Sequence, residues 1–395
     1  MRTVEEHQQV VAGLISTRPA VAVPLADALG LALAEDVVAP LSLPGFDNSA
    51  MDGYAVLAAD VATASADNPV KLPVAEDIPA GRTDLLTLAP GTAHRIMTGA
   101  MLPAGATAVV QVEATDGATD VVSIYSAVPE GRSIRRAGED VTAGMTVLPA
   151  GEVLSPAALG LAAALGLAEL KVIPRQRVLV LSTGTELVKP GTPLQPGQIY
   201  ESNAVMLAAA LRDAGADVTT APATSDDVAL FRETLAGHAR DVDLIVTTGG
   251  VSAGAYEVVK DALSREVEFV KVAMQPGMPQ GAGTVNGTPI ITLPGNPVSA
   301  LVSFEVFIRP PLRAAMGLPS ERPRRSATLT EKLTSPAGKR QFRRGVLGTD
   351  EQVSSYGPPA SHHLRWLATA NCLLDIGEDV IELAAGSPVP VWDLS

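Results

Sequence analysis

The sequence predicts a multidomain α/β plus β protein. A doubly wound α/β domain is expected beside a β-rich inserted domain, a discontinuous helical N-terminal domain and a small C-terminal β domain. Three observations carry this. The chain has 395 residues, too many for one domain of roughly 100–200. Strand-like apolar runs alternate with helical ones over residues 175–318, the rhythm of a doubly wound sheet. On either side, short Val- and Ile-rich runs are cut by turn residues; Gly and Pro number 35 and 31, above the usual share of about 12%.

The elements follow in order. Residues 3–35 carry two apolar faces at helical spacing, first Val10, Val11, Leu14 and Ile15, then Leu25, Ala28, Leu29 and Leu33. Two helices around a Pro-containing turn are expected. Residues 40–53 break into Pro-Gly and Asp-Asn turn chemistry, and runs such as 107–112 and 120–125 read as strands. A helix over 156–170 returns toward the first segment. Residues 1–46 and 139–174 then form one discontinuous domain, with 47–138 inserted.

Residues 177–182 have the form of a buried parallel strand. A helix over 202–215 follows, with Ser202 or Asn203 at its start and Gly215 at its stop. Strand 217–220, a helix begun by Asp226 and Asp227 and running through His238, and strand 243–248 continue the pattern. Runs 258–264, 267–273, 289–293 and 298–315 complete the α/β domain over 175–318, and residues 319–395 form the C-terminal β domain.

Composition narrows the function. With 29 Lys and Arg against 43 Asp and Glu, the net charge is −14, which disfavours nucleic acid and anionic membranes as partners. A single cysteine, Cys372, excludes an intrachain disulfide framework and any Cys-cluster metal site. The N-terminus is acidic where a signal peptide needs an apolar run, and the most apolar stretch, 153–170, is Ala- and Gly-rich with Pro156 inside it. A cytoplasmic location is expected. Charge is uneven: residues 321–345 hold eight Lys or Arg against Glu321 and Glu331, a basic segment suited to an anionic ligand.

In an open α/β sheet ligands sit beyond the carboxyl ends of the strands. Three runs there end in polar, Gly-containing loops: 182–186 with Ser182 and Gly184, 247–254 with Gly249, Gly250 and Ser252, and 293–299 with Pro294, Gly295, Asn296 and Ser299. Glycines let backbone N–H groups approach an anion, and a helix start adds a favourable dipole. Three such loops on one rim favour a phosphate or nucleotide pocket. Glu186 and the Asp226-Asp227 pair lie close by in sequence, and carboxylates beside phosphate suit Mg²⁺; the pair also reads as a plain N-cap. In the first half, residues 46–54 pack two carboxylates, an amide and a hydroxyl together, 95–99 place Thr98 before a glycine, and 132–140 set three arginines beside two acids. The last is either an oxyanion patch or a solvated salt-bridge face.

The segments 44–55 (Pro-Gly-Phe-Asp-Asn-Ser-Ala-Met-Asp-Gly-Tyr-Ala), 95–100, 135–140, 182–187, 249–254 and 293–300 fall in an order that resembles the molybdopterin molybdenumtransferase family, which includes MoeA and the gephyrin E domain. The resemblance spans essentially the whole chain, and its first motif is long and specific. It implies an elongated homodimer of four-domain subunits. It also implies Mg²⁺-dependent insertion of molybdate into adenylylated molybdopterin with release of AMP, at a site on the dimer interface. Carried over by motif, Asp52, Thr98, Asp140 and Glu186 would be catalytic. Glu186, Asp226 and Asp227 would hold metal. Arg135, Ser182, Gly184, Gly249, Gly250, Ser252, Lys271, Pro294, Gly295, Asn296, Ser299 and Arg343 would bind substrate. A molybdopterin adenylyltransferase is a further implied partner.

The sequence departs from the family pattern at Ala255, where an acid is common, at Gln275 and Met278, where lysines are common, and at Arg365 and Trp366. Those departures keep a second reading open: a carrier or scaffold that binds molybdopterin without turnover. A third, an adenylyltransferase resembling the α/β domain, is opposed by the 47–54 motif and the flanking β domains.

Overall fold

The computed structural model describes residues 1–222, 227–251 and 258–394. They fall into two compact units: residues 1–22, 30–34 and 171–395 form the first, and 23–29 and 35–170 the second.

The first unit is built on a six-stranded sheet. Arg177–Ser182, Asp217–Thr220, Leu244–Thr248 and Thr288–Leu293 run parallel, and Pro279–Val285 and Val267–Lys271 extend the sheet antiparallel. Side chains alternate across a strand. Val178, Val180 and Val246 therefore join one core with the helices Val4–Leu14 and Asn203–Asp213, while Leu179, Leu181 and Ile245 join another with Val228–His238 and Val258–Leu263. Burial on both faces explains why the central strands read as unbroken apolar runs. The first helix starts with a capping box: Thr3 Oγ1 accepts from the Glu6 N–H at 3.1 Å, and a Glu6 carboxylate oxygen accepts from the Thr3 N–H at 2.8 Å. Pro297–Ser303 and Arg309–Ala315 are joined by a π-helical turn, Phe304–Ile308, just ahead of Pro310 and Pro311, which offer the ladder no N–H.

The 319–395 region closes on itself. Arg340–Leu347, Gln352–Ser355, Arg324–Leu329, Pro388–Asp393 and Cys372–Ile376 pair in a ring, the last returning to the first. Met274–Gln275, reaching out of the α/β region, adds a short parallel strand to Arg340–Leu347. Cys372 is buried inside with Leu374 and Val391, and burial pushes its thiol up to about 12. It is a packing residue.

The second unit holds a five-stranded sheet, in the order Ala108–Gln111, Gly53–Val56, Ala93–Ile96, Val70–Ile78 and Val121–Ile124, and the helix Pro156–Ala164. Tyr54 is buried there and donates its hydroxyl to the Ala118 carbonyl at 2.8 Å.

Two expectations are corrected and one strand is added. The second N-terminal helix does not form: the strand Val21–Pro24, a single 3₁₀ turn Leu25–Asp27 and the strand Ala32–Leu33 occupy that stretch. Pro24 ends an extended run, and Gly30 sits at φ +73°, a turn rather than a helix interior. The helix expected over 156–170 stops at Ala164 and gives way to the strand Glu169–Ile173. The sheet also holds a strand that the sequence did not announce, the Gly-rich Pro279–Val285, antiparallel to Thr288–Leu293.

Candidate functional site

The three Gly-containing loops of the first unit meet beyond the carboxyl ends of the parallel strands and are bonded to one another. Thr183 N–H donates to the Thr248 carbonyl at 3.1 Å and Gly249 N–H to the Leu293 carbonyl at 3.1 Å. Thr248 Oγ1 donates to the Pro294 carbonyl at 3.1 Å. Asn203, from the adjoining helix, donates through Nδ2 to Thr248 Oγ1 at 3.0 Å and to the Gly295 carbonyl at 2.7 Å. Gly249 is required by this contact: its φ is +92°, and a Cβ would lie 2.8 Å from the Thr183 carbonyl oxygen.

These loops floor a cavity of about 1180 Å³, ample for a large cofactor-like ligand. Its lining among the described residues includes Ser182, Gly184, Glu186, Gly249, Gly250, Pro294, Gly295, Asn296 and Ser299 from the sequence expectation, with Tyr200, Glu201, Asn203, Gln275, Met278, Lys339 and His362 besides. Lys339 is the sole Lys or Arg in that described lining, and Glu186 and Glu201 are its carboxylates.

Glu201 was not anticipated. It is buried; its Oε1 accepts from Ser182 Oγ at 2.8 Å and from the Ala204 N–H at 2.7 Å. The carboxylate thus caps the helix that Ser202 was expected to cap, for Ser202 makes no capping bond. The signal is an acid two residues ahead of an apolar helix, where the more usual Ser or Asn reads first as the cap. Ser182 is accordingly committed to Glu201.

Other expected residues stand elsewhere. Asp227 Oδ1 accepts from the Ala229 and Leu230 N–H groups at 2.8 and 3.1 Å, so this acid is the N-cap of Val228–His238. Asp226, Ser252 and Ala255 lie outside the described residues. Lys271 ends its strand exposed and outside the cavity lining. Arg343 lines a separate small recess with Arg344, Ser355 and Tyr356, where its Nη2 donates to Ser355 Oγ at 2.8 Å and burial lowers its pKa. The amide of Val298, in the first turn of the helix after Asn296, is donated to the Ser361 carbonyl at 3.1 Å. Trp366 packs edge-on against Tyr356 at 4.9 Å, with Arg365 stacked on it at 4.7 Å.

In the second unit, three segments singled out in the sequence converge. Asp52 Oδ1 accepts from the Thr98 N–H at 2.6 Å and Thr98 Oγ1 at 2.7 Å, bonds that hold its carboxyl below the usual range. Ser49 pairs with Ile134 and Asn48 with Arg135, and Gly99 N–H donates to the Ser49 carbonyl at 2.8 Å. Asp47 accepts from the Ala137 N–H at 2.8 Å and from Arg136 at 2.5 Å, and the Ala137 bond leads in lowering its pKa. Arg135 and Asp140 are exposed. Among the described residues no three His, Cys, Asp or Glu side chains gather as a ready-made metal cage.

A doubly wound domain with a large loop-floored cavity, carried with a closed β barrel and a separate β-sheet unit, defines a multidomain protein with room for a bulky ligand. Family models match in the same order: the MoeA N-terminal region (domain I and II) over residues 2–166, a probable molybdopterin binding domain over 179–314, and the MoeA C-terminal region (domain IV) over 326–394. The chain belongs to the molybdopterin molybdenumtransferase family, enzymes of molybdenum cofactor biosynthesis. It is 68% identical to molybdopterin molybdenumtransferase 2 of Mycobacterium tuberculosis across the full length of both chains. It is 36% identical to molybdopterin molybdenumtransferase of Haemophilus influenzae, covering 93% of this chain and 92% of that one. A solved molybdopterin biosynthesis moeA protein from Pyrococcus horikosii superimposes with a TM-score of 0.85 at 31% identity, over 100% of this chain and 99% of that one. No helix among the described residues is long and apolar enough to cross a membrane.

Proposed function

We propose that this chain inserts molybdate into adenylylated molybdopterin, releasing AMP with Mg²⁺ bound, and that it works in the cytoplasm as a homodimer fed by a molybdopterin adenylyltransferase. The observation that carries the reading is the bonded floor of loops beneath a cavity with two carboxylates, inside the region that matches a molybdopterin-binding model.

The donor set fits Mg²⁺, a hard ion that takes one or two carboxylates and substrate phosphate oxygens rather than an all-protein cage. Glu186 presents its carboxylate to the cavity, and the bare Cα of Gly184 gives it room: a Cβ there would stand 2.6 Å from a Glu186 oxygen. Thr183 Oγ1 and Asn203 Oδ1 are buried oxygens of the cavity wall with no hydrogen-bond partner among the described residues. Glu186 would hold the ion, with these oxygens as further donors on the same cavity wall. When bound, Mg²⁺ neutralises charge on the phosphate that leaves. The protein's own part is positioning. Glu201 fixes Ser182 and the helix start, Asn203 ties two loops together, and Lys339 supplies a cationic contact for phosphate or molybdate. In the second unit Thr98 keeps Asp52 ionised and aimed. The dithiolene sulfurs that take molybdenum belong to the substrate, so no cysteine is needed, consistent with a sole, buried Cys372.

The test is AMP release from adenylylated molybdopterin with Mg²⁺, with and without molybdate. Molybdate-stimulated release that stops on chelation and returns with Mg²⁺ is expected; its absence overturns the reading. One observation favours the carrier alternative: uncharged Gln275 and Met278 line the cavity. Tight binding of the nucleotide–pterin with no AMP release would select it.

A further inference from the structure

Aromatic residues are only 3% of the chain, and many are spent on cores: Tyr54, Phe231, Phe304, Phe307 and Phe342 are among the largest buried side chains. Tyr200 is different. Among the described residues of the first unit it is the one aromatic counted as exposed, at 43%, and it lies on the cavity wall. The only other ring in the described lining is the imidazole of His362, already packed against His363 at 4.4 Å.

The backbone that carries Tyr200 is fixed on both sides. Ile199–Tyr200 pairs in parallel with Leu187–Val188, Tyr200 lying opposite Val188. Ile199 N–H donates to the Glu186 carbonyl at 2.9 Å and Glu201 N–H to the Val188 carbonyl at 2.9 Å. Tyr200 therefore lies on a strand whose main chain is bonded to the Glu186 turn and to Val188, and whose next side chain is locked to Ser182. A ring held on fixed backbone and left facing a cavity loses little conformational freedom when a flat ligand covers it.

We infer that Tyr200 is the stacking platform for a planar heteroaromatic ring of the ligand, the adenine or the pterin. The inference rests on the function proposed above and adds a residue to its binding machinery. Stacking of a base on an aromatic ring tolerates different bases because each has a π face. It needs the ring and not the hydroxyl.

The experiment measures equilibrium binding of AMP and, anaerobically, of molybdopterin to the full-length protein, its Tyr200→Phe variant and its Tyr200→Ala variant. Thermal melts and size-exclusion chromatography run alongside. Tyr200→Ala is expected to weaken at least one ligand by about 5- to 150-fold, with the melt unchanged, and Tyr200→Phe to stay within about threefold of the parent. Loss confined to AMP assigns the platform to adenine; loss confined to molybdopterin assigns it to the pterin. Unchanged binding of both by Tyr200→Ala overturns the inference while leaving the proposed function standing. Equal loss in Tyr200→Phe also overturns it, by placing the effect on the hydroxyl. If Tyr200→Ala changes only the oligomeric state, the ring covers a contact between copies and the platform is refuted. A parent protein that binds neither ligand removes the functional reading itself.

Discussion

Removing the Glu201 carboxylate tests how the cavity floor is held. In a Glu201→Ala variant the Ala204 N–H at the helix start loses its acceptor, worth about 1 kcal/mol as a cap. Ser182 Oγ, 1% exposed with its residue, is left without its acceptor, a further ~1–3 kcal/mol. The expected loss is about 2–4 kcal/mol in the first unit. Glu201→Gln keeps an amide oxygen for both donors and is expected to cost about 1 kcal/mol, since only the charge assistance is gone. Both tryptophans, Trp366 and Trp392, lie in the first unit, so urea unfolding followed by tryptophan fluorescence reports on it. Hydrogen exchange at the Ala204 amide gives a local readout, expected to quicken in Glu201→Ala. A Glu201→Ala protein within about 0.5 kcal/mol of the parent, with Ala204 exchange unchanged, would refute the assignment of Glu201 as the joint support of Ser182 and the helix.

Other perturbations have equally definite outcomes. Gly249→Ala forces a left-handed alanine and a Cβ 2.8 Å from the Thr183 carbonyl oxygen; a cost of about 2–4 kcal/mol in urea unfolding and loss of AMP binding are expected. His7 is buried against Phe307, and burial first, with Arg2 second, lowers its pKa to about 4. Its neutral form is favoured by folding, so its contribution is complete above the ordinary value of about 6.5 and is lost as pH falls toward 4. Stability is expected to drop by about 2–3 kcal/mol more between pH 7.5 and 4.5 in the parent than in His7→Gln. Asp52 has a depressed pKa, led by the Thr98 N–H bond, so its contribution is present above the ordinary carboxylate pKa and disappears as pH falls through its folded value. Carboxyl NMR titration of Thr98→Val, which keeps the N–H bond and removes the hydroxyl, should show Asp52 moved upward, and no movement would refute a part for the Thr98 hydroxyl.

What the sequence made legible follows from how each signal arises. The strand Arg177–Ser182 announces itself because both faces are buried, with Val178 and Val180 on one and Leu179 and Leu181 on the other. Pro279–Val285 does not, because close packing demands glycine where strand propensity asks for bulk. A Cβ at Gly281 would lie 2.2 Å from Thr292 Oγ1, and one at Gly283 would lie 2.1 Å from the Glu266 carbonyl oxygen. The apolar spacing of Leu25, Ala28 and Leu29 mimicked a helix in a stretch too short between Pro24 and Gly30 to sustain one. At the site, the Gly loops were readable as motifs. Glu201 was readable only as one more acid near a helix start, because its bond to Ser182, 19 residues earlier, is a pairing that no local pattern encodes. Asp227 illustrates the reverse case: its cap is local, and the plain N-cap reading described it.

The first helix has a consequence for biosynthesis. His7 packs on Phe307, Gln8 donates to the Val306 carbonyl at 3.1 Å, and Arg2 N–H donates to the Lys271 carbonyl at 2.9 Å. On the ribosome these partners emerge only about 270–300 residues later. At roughly 5–20 residues per second, the N-terminal helix waits about 15–60 s for its docking surface, long after residues 35–170 have emerged with their own core complete. The second unit is therefore free to fold as an early, self-contained intermediate. The cavity is complete only once Lys339 and the 359–364 segment of its wall have emerged.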